Sequence, residues 1–477
     1  MKITIKDLMQ SSGVQFGTSG ARGLVTAMTD NVCFAYTLAF LQAINAQKGT
    51  RIALATDLRP SSPQIAASIA AAIEHAGLQV DYCGAIPTPA LAYYAQAQGI
   101  AGIVVTGSHI PFDRNGIKFY SATGEITKQD EINISQAEVE LPFNGLTITL
   151  PQVNQAAQLS YISRYLDYFP AHIFAGLHIG FYQHSSVARD LLTTLLEKLG
   201  ATVTPLDRTN EFVPLDTEAV APTDIARAKN WAAEHQFDAI ISTDGDADRP
   251  LIGDENGQWL RGDIVGLLCA QYLQAQAVAT PVSCNTSVEK CGSFAKIKRT
   301  RIGSPYVIEG MEQLQAEGEQ SIVGFEANGG FLLGTHLQSG AKTLAPLKTR
   351  DAVLPILAII AMAKEKNCKI SHLLQHLPAR FTASDRLQAF PTQISHALLQ
   401  SFAENQATLN DLLKPLGGAY QQIEQTDGLR ITLNNGEIVH FRPSGNAPEL
   451  RCYAEAESQA DADELVRLAL SEIKNRL

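Results

Sequence analysis

Short apolar runs alternate with helical patterns along most of the chain, and this alternation constrains the fold more than any other feature. RIALATD (51–57) and AGIVVT (101–106) are apolar runs that each end in a polar loop. Between them, PQIAASIAAAIEHAGLQV has the apolar spacing of a helix that stops at Gly77 and leads into another strand. A strand followed by a helix and a second strand is the unit of a sheet covered by helices, so the sequence predicts an α/β fold.

The alternation is interrupted at places that predict domain boundaries. It pauses around 140–158, and new α/β units begin after the turn near 258. Near 371–387 the pattern changes to helices mixed with short strands, which is typical of a small α+β domain. Because 477 residues are too many for one core, we expect several domains. The predicted domains are 1–155, 156–257, 258–372 and 373–477.

The composition limits the partners and the location of the protein. A net charge of -11 argues against a nucleic-acid surface, although a local basic pocket for an anionic metabolite would not show in that total. The N-terminus lacks the apolar stretch of a signal peptide, and no run is long enough to cross a membrane. The seven cysteines are scattered and suggest neither disulfides nor a zinc site. We expect a cytoplasmic protein that binds neither nucleic acid nor membranes.

The stretch TGSHIPFDRNGIKFY (106–120) follows a buried strand directly, which places its polar residues at a sheet edge. Ligands bind at this edge in open α/β sheets. Ser108, His109 and Lys118 are therefore candidate site residues.

A second polar loop, STDGDADRPLIG (242–253), also follows a predicted strand. Its three carboxylates, at Asp244, Asp246 and Asp248, would repel one another at close range unless a cation lay among them, and hard oxygen ligands favour Mg²⁺. A solvated Asp/Gly turn is the alternative interpretation. Arg249 beside the acids suggests an additional contact with phosphate.

Two further loops carry weaker signals. FRPSGNAPELRCY (441–453) supplies guanidinium, hydroxyl, amide and backbone N–H donors, as a phosphate site requires, but a plain turn flanked by surface arginines explains it equally well. GFEANGGFLLG (324–334) places Glu326 and Asn328 in a glycine-rich loop where they could bind sugar hydroxyls. Alone, this loop is more typical of a turn.

Taken in order, these loops resemble those of the α-D-phosphohexomutases, the family that includes phosphoglucomutases and phosphomannomutases. The resemblance begins at FGTSGARG (16–23) and continues through TGSHIPFDRNGIK, DGDADR, FEANGG and RPSGNAPELR, so it covers nearly the whole chain. It implies three related α/β domains with mixed sheets and a C-terminal α+β domain around a central cleft. The implied reaction interconverts hexose 1-phosphate and hexose 6-phosphate through an enzyme phosphoserine and a bisphosphorylated sugar.

The resemblance also implies roles for individual residues. Ser108 would carry the phosphoryl group and, with Asp244, Asp246 and Asp248, would bind Mg²⁺; hexose 1,6-bisphosphate would act as an activator. Lys118 or His109 would assist proton transfer. The residues implied to contact the transferring phosphoryl group are Arg22 and Arg249. Those implied to bind the sugar or its second phosphate are Glu326, Asn328, Arg442, Ser444, Gly445, Asn446 and Arg451.

Several residues depart from the family pattern, so the resemblance does not determine which hexose is the substrate. Gly107, Ile110 and Pro250 stand where relatives commonly have alanine, asparagine and an aliphatic residue. Asn328 stands where many relatives have serine, and Ser304 and Pro305 lie where a charged or imidazole side chain is common. We expect a phosphomannomutase, with a phosphoglucomutase or dual-specificity enzyme as the alternative. A phosphoglucosamine mutase, a Mg²⁺-dependent phosphatase and a non-catalytic sensor are further alternatives; a monomer or weak homodimer is expected.

Overall fold

A computed structural model describes residues 2–17, 20–142, 146–444 and 448–476, with the Ser339 side chain left out. Its regular elements form four main sheets with helices packed against them. No helix among the described residues is long and apolar enough to cross a membrane.

The first sheet contains β2 to β8, in the order β2-β3-β7-β6-β4-β5, with β8 paired to β7. A separate pair, β1 and β9, lies beside it. The elements of this part are β1 (Lys2–Thr4), α1 (Ile5–Ser12), β2 (Gln15–Phe16), β3 (Ala21–Leu24), α2 (Asp30–Ala43), β4 (Arg51–Thr56), α3 (Ser62–His75), β5 (Gln79–Ala85), α4 (Thr88–Gln98), β6 (Ala101–Val105), β7 (Arg114–Ser121), β8 (Gly124–Glu125), α5 (Lys128–Gln136) and β9 (Glu138–Glu140).

The second sheet has four strands in the order β11-β10-β12-β13. Its elements are α6 (Ala156–Tyr168), β10 (His178–Tyr182), α7 (Arg189–Lys198), β11 (Thr202–Leu206), α8 (Pro222–Glu234), β12 (Ala239–Thr243) and β13 (Pro250–Gly253).

The third sheet has five strands in the order β15-β14-β16-β17-β20, and a small hairpin of β18 and β19 stands apart from it. The elements are α9 (Gly262–Tyr272), β14 (Ala277–Pro281), α10 (Ser287–Lys290), β15 (Lys296–Thr300), α11 (Ser304–Ala316), β16 (Ile322–Phe325), β17 (Phe331–Leu333), β18 (Leu337–Ser339), β19 (Lys342–Leu344), β20 (Leu347–Asp351), α12 (Val353–Glu365) and α13 (Ile370–Leu374).

The fourth sheet is antiparallel throughout, in the order β21-β25-β24-β23-β22. Its elements are β21 (Phe381–Leu387), α14 (Thr392–Glu404), α15 (Gln406–Leu413), a 3-10 turn (Lys414–Leu416), β22 (Tyr420–Glu424), β23 (Leu429–Leu433), β24 (Ile438–Pro443), β25 (Leu450–Ala456) and α16 (Gln459–Lys474).

The first three sheets share one strand order. In each, a central strand is parallel to both neighbours, and a fourth strand returns antiparallel to the third; the sets are β5-β4-β6-β7, β11-β10-β12-β13 and β15-β14-β16-β17. This repeated order confirms the prediction of three related α/β units with mixed sheets followed by an α+β unit. It also places the loop between the third and fourth strands at the same sheet edge in every unit.

Apolar packing joins the first three units more closely than the fourth. One continuous buried cluster takes residues from all three, including Tyr94 of α4, Tyr161 of α6 and Leu357 of α12. The fourth unit has a core of its own, formed by residues between Ala383 and Ile473. The first three sheets therefore hold their loops in fixed relative positions, whereas the fourth is attached through polar contacts, such as the buried hydrogen bond from the Asn285 amide to the Thr382 hydroxyl over 3.0 Å.

The helix α2 begins and ends earlier than its sequence pattern indicates. A helix is expected over 33–48, but α2 spans Asp30–Ala43. It begins earlier because the Thr29 side chain accepts a hydrogen bond from the backbone N–H of Val32. It ends earlier because Asn45 adopts a left-handed conformation, with φ 51°.

Candidate active site

Ser108 lies in the loop between β6 and β7, and its side chain is buried against the second unit. Its hydroxyl donates to Oδ2 of Asp244 over 2.5 Å and lies 3.4 Å from Nδ1 of His109. The backbone is left-handed, with φ 53°, and the Ser108 N–H donates to the Thr106 hydroxyl. A non-glycine residue in this conformation is uncommon, and such strain concentrates at functional sites.

Arg59 holds the serine loop in shape. Its guanidinium donates to four carbonyl oxygens of the loop over 2.6 to 2.9 Å, those of Ser108, Ile110, Pro111 and Arg114. The same guanidinium lies 3.3 Å from the Asp57 carboxylate and stacks on the ring of Phe212, 3.9 Å from its centroid. The loop therefore has a rigid support, and the Ser108 hydroxyl is fixed in place.

The three aspartates of the β12–β13 loop offer carboxylate oxygens that all lie within 4.8 Å of one another. Oδ2 of Asp246 accepts from the Thr88 hydroxyl over 2.6 Å, and Oδ1 of Asp244 accepts from the backbone N–H of Asp248. Within the described part of the chain, Oδ1 of Asp246 and Oδ1 of Asp248 are buried without a hydrogen-bond donor, although Nε of Arg249 lies 3.6 Å from the latter. Because a buried carboxylate oxygen without a partner is costly, these atoms fit a bound cation, so the cluster could bind a metal.

Two buried cations offset part of this negative charge. Lys118 of β7 donates from Nζ to Asp246 and to Asp248, 2.7 Å in each case, and Arg350 of β20 donates to Asp248 over 2.8 Å. Burial, reinforced by the neighbouring Asp246 and Asp248 carboxylates, raises the pKa of Asp244 well above its usual range. Burial alone would also raise the pKa of Asp248, but Arg350 and Lys118 hold it well below the usual range.

His109 is neutral at physiological pH, whereas Lys118 is positively charged. Nη1 of Arg249 donates to Nδ1 of His109 over 3.0 Å. The Arg249 charge, followed by burial, lowers the pKa of His109 to about 3, so the imidazole is neutral at physiological pH. Burial alone would lower the pKa of Lys118, but Asp246 and Asp248 raise it above the usual value. Arg22 of β3 belongs to the same group of cations. Burial, and then the charges of Arg249 and Arg350, lower its pKa to about 10.

Glu326 and Asn328 lie in the loop between β16 and β17 and are both buried. Oε2 of Glu326 accepts from Nη1 of Arg350 over 3.3 Å. The side-chain oxygen of Asn328 accepts from the Gly330 N–H, and its backbone carbonyl accepts from the hydroxyl of Thr217 in the second unit. The Asn328 side-chain NH₂ is thus the part of the amide left to contact a ligand.

The phosphate loop predicted between β24 and β25 is only partly described, because Gly445 and Asn446 lie outside the described residues. Nε of Arg442 donates to Oδ1 of Asp427 over 3.0 Å, and Oδ2 of Asp427 accepts from the Ile302 N–H of the third unit over 2.9 Å. Ser444 is buried, and its N–H donates to the Glu449 carbonyl. Asp427 therefore orients Arg442 and ties the fourth unit to the third.

Arg451 faces the second unit. Burial, and then the Asp216 carboxylate, raise the pKa of Glu218 in that unit, and the charge of Arg451 opposes this shift. Within the described residues, Nε of Arg451 is buried without a hydrogen-bond partner. The serine and the acids are thus in direct contact, Arg350 links the acids to Glu326, and the C-terminal unit interacts with the second and third units through Arg451 and Asp427.

Comparison with known proteins agrees with this geometry. Models of the phosphoglucomutase/phosphomannomutase family match all four parts of the chain: α/β/α domain I at 13–140, domain II at 161–257, domain III at 261–381 and the C-terminal domain at 396–469. The chain belongs to the phosphoglucomutase/phosphomannomutase family.

Full-length relatives of this family are similar to the chain from end to end. A phosphomannomutase from Salmonella muenchen is 48% identical, and the match covers 99% of this chain and 98% of the relative. A phosphomannomutase from Sinorhizobium fredii is 42% identical, with 98% and 100% covered. The crystal structure of a phosphoglucomutase/phosphomannomutase family protein from Burkholderia thailandensis has the same fold, with a TM-score of 0.74 at 18% identity and 96% and 97% covered.

Membership of the phosphoglucomutase/phosphomannomutase family confirms the predicted resemblance and the enzyme class. Four residues that build the site were missed from the sequence: Arg59, Thr88, Asp427 and Arg350. Arg59 lies two residues after Asp57 in the stretch TDLR, and Arg350 directly precedes Asp351 in TRDA; an arginine this close to an acid at a strand end could have marked both as buried charges. Thr88 and Asp427 carry no comparable sequence signal.

One departure from the family pattern now has a structural reason. A Cβ added to Gly107 would lie 2.6 Å from the guanidinium carbon of Arg59. The usual alanine is therefore incompatible with Arg59 as it is placed here.

Proposed function

We propose that the chain is a phosphomannomutase, which interconverts mannose 1-phosphate and mannose 6-phosphate through a phosphoserine at Ser108 and a bisphosphorylated sugar. The observation that carries the proposal is the buried Ser108 hydroxyl held 2.5 Å from the Asp244 carboxylate, beside two further aspartates. A protein that only bound sugar phosphates would have no use for a nucleophile in that position. The relatives named phosphomannomutase, at 48% and 42% identity over nearly the full chain, support mannose over glucose.

We assign Mg²⁺ to Asp244, Asp246, Asp248 and the Ser108 oxygen. The two buried carboxylate oxygens without donors, on Asp246 and Asp248, support this assignment. A divalent cation bound there would offset negative charge on the transferring phosphoryl oxygens. Hexose 1,6-bisphosphate would serve as the activator, because it can phosphorylate Ser108 before the first turnover.

In each half-reaction one P–O bond forms as another breaks. The phosphoryl group leaves Ser108 Oγ for a sugar hydroxyl; after the bisphosphate reorients, the other phosphoryl group leaves the sugar for Ser108. Each half-reaction also moves protons: the sugar hydroxyl loses its proton as it is phosphorylated while Ser108 Oγ gains one, and the second step reverses both changes. Lys118 is proposed to take the proton of the sugar hydroxyl in the first step and, as the ammonium ion that its raised pKa favours, to return it to the sugar oxygen in the second. His109 is neutral, and its Nδ1 lies 3.4 Å from the Ser108 hydroxyl; it is proposed to assist proton transfer at Ser108 Oγ.

The remaining predicted residues have binding roles in this proposal. Arg22 and Arg249 steady the transferring phosphoryl group, and Glu326 and Asn328 bind sugar hydroxyls. The other phosphate is bound by the C-terminal loop, and its binding energy can support closure of the fourth domain over the cleft. The residues proposed for that phosphate are Arg442, Ser444, Gly445, Asn446 and Arg451.

The proposed domain bounds, 1–155, 156–257, 258–372 and 373–477, assign one main sheet to each domain. Each domain would then contribute one loop to the cleft, which explains why the four loops are spread along the whole chain.

The proposal is tested by assaying purified protein with Mg²⁺ and a trace of hexose 1,6-bisphosphate, with mannose 1-phosphate and glucose 1-phosphate in parallel. We expect isomerisation of both, with the larger kcat/KM for mannose 1-phosphate. A larger value for glucose 1-phosphate would make the protein a phosphoglucomutase. Stoichiometric release of inorganic phosphate would instead indicate a phosphatase, and binding without turnover would indicate a sensor.

A further inference from the structure

Arg350 lies on β20, the edge strand of the third sheet, and its side chain is buried. Its two neighbours contact other parts of the molecule: the Thr349 hydroxyl donates to Glu125 over 2.5 Å, and Asp351 accepts from Tyr161 over 2.6 Å. Because successive side chains of a strand point to opposite faces, these contacts direct Arg350 the other way, toward the β12–β13 and β16–β17 loops.

The guanidinium joins two carboxylates from different sheets. Nε and Nη2 donate to Oδ2 of Asp248 over 3.1 and 2.8 Å, and Nη1 donates to Oε2 of Glu326 over 3.3 Å. All three side chains are at most 5% exposed. Such a fork, which spans two acceptors, is available to arginine but not to lysine.

The sugar loop is also shaped around the stem of Arg350. A Cβ added to Gly330 would lie 2.5 Å from Cδ of Arg350 and 3.0 Å from the side-chain oxygen of Asn328. The second glycine of FEANGG therefore leaves the space that the arginine stem fills. Loop and arginine fit each other through packing as well as charge.

We propose that Arg350 is the positioning residue that fixes the sugar-recognition loop and joins it to the acidic cluster. It holds Glu326 by Oε2, so that Oε1, which receives no hydrogen bond from the described residues, is presented to a sugar hydroxyl. This inference rests on the proposed function, because it assigns Glu326 to the sugar. Arg350 acts through Glu326 and is not itself assigned to the substrate.

The test measures binding apart from turnover, by calorimetry of mannose 1-phosphate with the full chain carrying Ser108→Ala. In that background we compare Arg350→Met, Glu326→Gln and the double variant. The matched control is Lys348→Met, which removes a positive charge from the same strand, where Lys348 pairs with Glu312 on the helix α11. If Arg350 acts through Glu326, each single substitution weakens binding about tenfold and the double variant is no weaker than Glu326→Gln. Lys348→Met stays within about twofold of the parent, since it loses only a surface ion pair.

Arg350→Lys is measured alongside, because Arg350→Met removes a buried ion-pair partner from both Asp248 and Glu326 and can impair folding. Lysine keeps the charge without the fork, so we expect thermal stability close to that of the parent and binding weakened as in Arg350→Met. Full rescue of binding by lysine would overturn this inference but not the proposed function. The same holds if the losses of affinity in Arg350→Met and Glu326→Gln multiply in the double variant. Failure of the Ser108→Ala parent to bind any hexose phosphate, together with no isomerisation by the wild type, would overturn the proposed function as well.

Discussion

The hydroxyl of Ser108 lies 2.5 Å from Oδ2 of Asp244, although the two residues are 136 positions apart in sequence. They lie in corresponding loops of two different sheets, each between the third and fourth strands of the shared order. Thr88, which begins α4 of the first unit, donates to Asp246 of the second and so fixes the approach of the two loops. Ser108 and the three aspartates therefore become one site only when the first two units pack together.

Replacement of Ser108 by alanine should abolish isomerisation, with kcat reduced on the order of 10³-fold or more, because the phosphoryl acceptor is lost. Labelled hexose 1,6-bisphosphate should transfer its label to the wild-type chain and not to the variant. Ser121→Ala, which removes a hydroxyl from the end of β7, is the control and should retain both properties. Isomerisation by Ser108→Ala at the wild-type rate would exclude a phosphoserine at this position.

Asp246→Asn should weaken metal binding, because it removes charge from one of the two buried oxygens that lack a donor. The Mg²⁺ concentration for half-maximal activity should rise at least about tenfold, a typical cost of disturbing a metal site. Direct Mn²⁺ titration followed by electron paramagnetic resonance gives a readout independent of turnover. The control is Asp190→Asn, whose carboxylate pairs with Arg208 on the surface. Equal metal affinity in both variants would show that Asp246 does not bind the metal.

Lys118→Met should lower kcat by about 10² to 10⁴, the usual range for loss of a proton-transfer group. It should also lower the free energy of unfolding by about 3 kcal/mol, because Asp246 and Asp248 lose a buried ion-pair partner. Steady-state kinetics and urea unfolding measure the two effects. Lys118→Arg should recover much of the stability without the turnover; recovery of both would mean that Lys118 acts only as a counter-charge.

Gly107→Ala should displace the serine loop, because the added Cβ would lie 2.6 Å from the Arg59 guanidinium carbon. We expect kcat to fall about tenfold and the free energy of unfolding to fall by about 1 to 3 kcal/mol, as in overpacked sites. The same substitution in an Arg59→Lys background should cost less, because the guanidinium is gone. A double-mutant cycle on kcat and on the free energy of unfolding checks this coupling. Equal costs of Gly107→Ala in the two backgrounds would mean that Gly107 and Arg59 act independently.

His440 should contribute to a loss of stability at acid pH. Its Nε2–H donates to the Asp427 carbonyl over 2.5 Å, and Nδ1 is buried without a partner among the described residues. Burial lowers the pKa of His440 to about 4 from 6.5, so the unfolded chain binds the proton more readily. Stability is then full above pH 6.5 and falls toward pH 4, by about 3 kcal/mol for this one group.

Thermal unfolding at several pH values from 7 to 4 checks the effect of His440. Wild type should lose stability over this window more steeply than His440→Gln, which keeps an N–H donor for the Asp427 carbonyl without a titratable ring. Parallel pH profiles for the two chains would assign the acid sensitivity to other groups.

Sequence patterns were sufficient for the fold class, because strand and helix periodicity are local properties of the chain. The polar loops after 105, 243 and 325 could be found in the same way, since each follows an apolar strand. The sequence located the FEANGG loop after a strand, but it did not show how Glu326 is oriented, because its partner Arg350 lies on another strand. The repeated strand order was not visible in the sequence, since pairing depends on contacts between distant segments.

The sequence by itself determined which chemical groups the protein carries and that they follow strand ends: a serine, three aspartates at alternating positions, a glycine-rich loop with a glutamate and a loop with two arginines. Only the tertiary structure decided which groups meet. Arg350 reaches Asp248 across 102 positions and Thr88 reaches Asp246 across 158, and neither contact has a sequence signature. The physical reason is that a buried charge is stable only beside its partner, and that partner is supplied by the packing of whole sheets rather than by neighbours along the chain.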